Sequence, residues 1–106
     1  MAYIAPNFEA RSLHVHRVVA EMIKDNPSEV GRAKEIIARW IGDGSSRSHA
    51  YFEEWARVID AGVDECLKLM LDPSEHGDTL RSCSPFGCLL TPVQRREIHR
   101  LYRRTS

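Results

Sequence analysis

No window of the chain approaches the ~18 consecutive apolar residues that a membrane-spanning helix needs, so no membrane partner is expected. The first residues, MAYIAPNFEAR, have neither the apolar core nor the basic leader of a secretory signal. Cysteine is scarce and odd in number, at Cys66, Cys83 and Cys88. That count argues against a disulfide scaffold and for a reducing cytoplasm. There is no glycine-rich phosphate loop, no internal repeat and no low-complexity block. No stretch alternates apolar and polar residues as a half-buried strand would.

What is present is an ordinary globular composition, 42% apolar and 28% charged over 106 residues. A chain of this length buries roughly 65% of its unfolded surface and needs no staple, which predicts one helical domain over residues 1–106. Formal charge is zero, from 15 basic and 15 acidic residues, but it is unevenly placed. Residues 1–91 carry 10 Lys+Arg against 14 Asp+Glu, and residues 92–106 carry five arginines against Glu97, so the body is −4 and the tail +4. Such a gradient marks a nucleic-acid contact, an acidic partner, or a tail lying on its own acidic body.

The apolar residues recur at helical spacing. Glu9 to Asp25 places Val15, Val18, Val19, Met22 and Ile23 on one stripe. Asn26 reads as the N-cap of a second helix, Pro27–Ile41, with Pro27 at its first position and Glu29 as a capping-box carboxylate. Gly42 to Ser48 is a flexible connector. A third helix, His49–Asp60, buries Phe52, Trp55, Val58 and Ile59, and Trp40, Tyr51, Phe52 and Trp55 are expected to pack together at that corner. Gly62 interrupts it. Val63, Cys66, Leu67, Met70 and Leu71 then give the cleanest helical series, with Leu69 off the stripe. Asp72-Pro73 ends that helix, Ser74 caps a short one to Ser82 that Gly77 weakens, and Ser84-Pro85-Phe86-Gly87 reads as a turn. Thr91, Pro92 and Gln94 form a capping box that opens a last helix to about Arg103. The fold class is all-α, a compact bundle of five to six short helices.

Candidate chemistry is thin. His14 and His16 stand about 200° apart on a helix and cannot share an ion. Cys83 and Cys88 with His76 and His99 lack the compact second pair of a zinc site, so no metal is expected. No base or positive field is tied to a cysteine to make it a nucleophile. The acidic pairs Glu53/Glu54 and Asp60/Asp64 read as solvated helix faces. Neither enzyme activity nor a cofactor is expected.

The last helix is the functional lead. Arg96, Arg100, Arg103 and Arg104 recur at spacings of three and four with Arg95 and His99 beside them, while Val93, Ile98, Leu101 and Tyr102 are expected to supply an apolar docking side. Guanidinium forks suit phosphates and carboxylates alike. A helix-turn-helix would need a further helix after this one to enter the major groove, so DNA contact would come from backbone phosphates or from a pair of such helices in a homodimer.

The segments VAEMIKDNPSEVGRAKEIIARW, FEEWARVID and SPFGCLLTPVQRREIHRLYRR resemble, across residues 13 to 104, a group of short bacterial helical proteins associated with toxin–antitoxin-type gene pairs. That resemblance implies a cytoplasmic antitoxin-like protein that binds and neutralises a toxin encoded nearby. A small DNA-binding regulator using its arginine-rich C-terminal helix is the alternative expectation, and both could hold at once.

Overall fold

The computed structural model describes residues 5–44 and 48–102. They form six α-helices, α1 (Ala5–Asp25), α2 (Glu29–Asp43), α3 (His49–Ala61), α4 (Val63–Met70), α5 (Glu75–Ser82) and α6 (Pro92–Tyr102), with a short 3-10 turn at Pro85–Leu89 before the last. No strand occurs among the described residues. The all-α bundle follows from the apolar stripes, each of which needs a neighbour to cover it.

Helix α1 is the hub. Val19, Ala20 and Ile23 are buried along its inner face, and α2, α4, α5, α6 and the 3-10 turn all pack against it. It begins at Ala5, four residues before the expected start. Pro6 is no obstacle there, because first-turn N–H groups have no intrahelical partner to lose. Helix α2 begins at Glu29 rather than Pro27. The backbone N–H of Glu29 donates to Asn26 O at 3.0 Å in a turn, and the Ser28 hydroxyl occupies the Asn26 side-chain oxygen at 2.6 Å. Asn26 is therefore not the cap, and Glu29 turns to Arg32 at 2.7 Å instead of closing a capping box.

Gly62 separates α3 from α4 with φ of 122°, a conformation that side-chain-bearing residues rarely adopt. The break folds α4 back along α3 and against α1 and α5. Covered from several directions, the eight-residue α4 buries Leu69 as well as Cys66 and Met70, so the expected single stripe is too narrow.

The aromatic residues divide. Trp40 and Phe52 do meet, with ring centroids 5.2 Å apart, but Tyr51 is exposed. Trp55 goes elsewhere, fully buried edge-on to Phe86 of the 3-10 turn at 5.4 Å. That turn is capped by Ser84, whose hydroxyl accepts from Phe86 N at 3.0 Å. Phe86 and Leu89 thereby close the core between α1 and α2.

Gly77, a poor helix former, is required in α5 by packing. A Cβ there would overlap the Asp72 carbonyl and lie 2.8 Å from Asp72 Cβ. Only glycine lets the chain return this closely. Ser74 caps the helix as expected, accepting from Gly77 N at 3.2 Å.

Candidate functional site

Three contacts fix the orientation of α6. At its start Thr91 and Gln94 satisfy each other's backbone, Gln94 N donating to Thr91 Oγ1 at 3.1 Å and Thr91 N to Gln94 Oε1 at 2.9 Å. In its middle Ile98 is buried. At its end the Tyr102 hydroxyl is hydrogen-bonded to His14 Nδ1 at 3.0 Å, with the two rings edge to face.

This anchoring sorts the candidate binding residues by angle. Arg95 lies at the edge of the docked face and donates to Gly87 O at 3.2 Å. One turn on, His99 stands beside it. Arg96 and Arg100 point outward, and Arg95, Arg96, His99 and Arg100 together line an open cleft of about 310 Å³. Arg103 and Arg104 lie outside the described residues. The expected apolar side is split. Ile98 and Tyr102 face the body, but Val93 and Leu101 are 57% and 69% exposed and flank Arg96 and Arg100 on the outer face.

Among the described residues no acid of the body forms an ion pair with Arg95, Arg96 or Arg100; the carboxylate paired with one of them is Glu97 on the same helix, 3.9 Å from Arg100. Several acids of the body pair elsewhere, within one helix in Lys24–Glu21, Arg32–Glu29 and Lys68–Glu65 and between α2 and α3 in Lys34–Asp60. Arg95, Arg96 and Arg100 therefore give this side of α6 a positive potential.

A second basic feature was hidden from the sequence. Between α1, α5 and α6 lies a cleft of about 180 Å³ whose lining includes Arg11, Ser12, His16, Arg81, Arg95 and His99. Arg81 is buried. Its guanidinium donates to the carbonyls of Met70 and Asp72 at 3.1 and 2.6 Å and pairs with Asp78, which ties the α4–α5 connection together. Its Nε–H has no partner. His16 is also buried. Its Nδ1 lies 2.7 Å from the Ser12 carbonyl, which can only accept, so the proton sits on Nδ1. Burial chiefly, opposed by that hydrogen bond and aided by the charge of Arg81, pushes the His16 pKa down to about 4. The ring is neutral at pH 7 and its Nε2 lone pair is buried without a partner. Each such unpaired group costs about 1–3 kcal/mol. In sequence, Arg81 among polar neighbours reads as a solvated charge, and nothing local shows its burial.

The remaining candidates are not gathered. His76 pairs with Glu54 at 2.7 Å, the Cys83 thiol lies 3.5 Å from Thr79 O, and Cys88 is exposed. No group of three His, Cys, Asp or Glu among the described residues is placed to hold a metal ion. Burial pushes the Cys66 thiol up to about 11 and raises that of Cys83, the opposite of nucleophile activation. No helix among the described residues is long and apolar enough to cross a membrane.

No protein family, curated protein or solved structure matches this chain.

Proposed function

We propose that this chain is an antitoxin-like interaction protein whose outer α6 face grips an acidic surface of a partner protein, a toxin encoded nearby, and masks it. One observation carries this function. Arg96 and Arg100, with no carboxylate of the described body paired to them, share a face with exposed Val93 and Leu101. Arginine beside apolar side chains is the composition of protein interface centres, where desolvated guanidinium groups and buried carbon dominate affinity. A helix that met only phosphates would have no use for exposed Val and Leu.

Co-expression with the product of the neighbouring gene tests it. A stable complex should form and relieve growth arrest, Arg96→Glu with Arg100→Glu should abolish it, and Leu101→Ser should weaken it. Failure to co-purify, together with no toxicity from the neighbour alone, rejects the function.

A DNA-binding regulator is the second candidate, favoured by the open cleft in which Arg95, Arg96, His99 and Arg100 converge. Phosphate contact there, by one α6 or by two in a homodimer, would make affinity fall by roughly 0.9 log per log of salt for each phosphate neutralised. Binding to duplex DNA that survives Arg96→Glu and Arg100→Glu would eliminate this candidate.

A further inference from the structure

We propose that the partner element held by the outer face of α6 is itself an α-helix, one that presents an apolar ridge with acidic residues four apart beside it. This rests on the outer α6 face being a protein-binding surface and names the kind of element that surface takes.

Helical spacing divides the exposed side of α6 into two parallel ridges. Val93, Glu97 and Leu101 form one, each four residues from the next, and Arg96 and Arg100 form its neighbour, three residues displaced. All five are exposed. A groove about 12 Å long therefore runs between a largely apolar wall and a cationic wall. Grooves between ridges of this spacing are what a ridge of a second helix fills, at a crossing angle of about −50°. A ridge that fits must offer carbon on one side and carboxylates on the other, at the spacing of Arg96 and Arg100.

An extended segment suits this groove less well. From Pro92 to Tyr102 the chain is α-helical, so its central N–H and C=O groups are used within the helix. A strand laid along it would bury backbone groups with nothing to pair to, at about 1–3 kcal/mol each. A helix arrives with its backbone already satisfied. The α6 side is also preformed, held by the Thr91–Gln94 box, by buried Ile98 and by the Tyr102–His14 bond, so little ordering is required of it on binding.

Charge selects the sign and the source of the partner helix. Residues 92–102 hold Arg95, Arg96 and Arg100 against Glu97, and none of residues 1–4, 45–47 and 103–106 is acidic. A second copy of α6 would set arginine against arginine. Glu97, in the middle of the apolar ridge, repels a phosphate backbone, whereas one lysine or arginine on a partner helix would meet it.

Selection from two displayed peptide libraries against the full chain tests the assignment. One library varies the surface of a stable helical scaffold of about 20 residues; the other is linear and rich in proline and glycine. Selected peptides should come from the helical library and carry Asp or Glu pairs four residues apart beside Leu, Ile or Met. They should bind the Arg96→Glu, Arg100→Glu double variant at least about tenfold more weakly. Moving the acids of a selected peptide to its opposite face, with composition unchanged, should lower affinity by about tenfold. Leu101→Ser, a change at an exposed position, should weaken binding several-fold at an unchanged melting temperature. Selected peptides from the linear library, peptides without that register, or no binding above that of the double variant would each overturn the assignment. So would displacement of a selected peptide by equimolar duplex DNA, or sedimentation showing a dimer of the chain that Leu101→Ser dissociates. A complex with the neighbouring gene's product alongside any of these leaves the antitoxin-like function standing and removes only the helix. Helical peptides of the expected register without such a complex support the helix and reject that function.

Discussion

The indole nitrogen of Trp55 donates to the backbone carbonyl of Leu80 across 2.8 Å, joining the middle of α3 to the last turn of α5. Both residues are fully buried, and the same indole packs edge-on against Phe86. One side chain thus links α3, α5 and the 3-10 turn that precedes α6. Replacing Trp55 by Phe keeps an aromatic ring but leaves the Leu80 carbonyl without its donor and opens a void. The expected loss is about 2–4 kcal/mol by urea unfolding. A loss below about 1 kcal/mol would show that the bond is not maintained in solution.

Two glycines within helices should respond in opposite directions to the same substitution. At Gly77 a methyl group would collide with the Asp72 backbone, which cannot swing aside as a long side chain can. Gly77→Ala should therefore cost roughly 3 kcal/mol or more and detach the α4–α5 connection. At Gly31, exposed on α2, nothing lies within 4 Å of the added carbon. Gly31→Ala should stabilise the fold by up to about 1 kcal/mol, because alanine loses less backbone entropy in a helix. Thermal unfolding of both variants checks the pair, and equal signs would contradict it.

These contrasts mark how far the fold was legible. The Thr91–Gln94 box, the Ser74 cap and the Gly62 break could be read because caps and breaks act over a few residues of chain. Gly77 could not, since its requirement is set by the close return of Asp72, a packing fact rather than a propensity. Leu69 and Trp55 are similar cases. Their burial depends on neighbours that a stripe on one helix does not specify. For α6, helical spacing puts Arg96 and Arg100 on one exposed face, with Arg103 and Arg104 outside the described residues, but it draws the docked side too wide, taking in Val93 and Leu101. Once Ile98 and Tyr102 define that side, Arg95, Arg96, His99 and Arg100 share an open cleft, and Arg95 and His99 also border the smaller one. The His14–His16 pair draws attention to a metal rather than to burial, although His16 lies in helical register with buried Val19 and Ile23, and Arg81 carries no comparable signal.

His16 gives the fold an acid-sensitive step whose direction follows from its burial. In the unfolded chain the ring takes up a proton near its ordinary pKa of about 6.5, whereas in the folded protein burial holds the value down to about 4. Between those values the unfolded state binds one more proton than the folded state, so stability falls as pH falls. The stabilisation is complete above pH 6.5 and is withdrawn progressively toward pH 4. Over the upper part of that window, from pH 6.5 to 5, where most carboxylates stay ionised, the expected loss is about 2 kcal/mol. Urea unfolding at pH 7, 6 and 5 should show the midpoint dropping, with the His16 ring signals still those of a neutral imidazole at pH 5. A flat profile, or a His16 that titrates near 6.5 in the native protein, would mean that the ring reaches solvent.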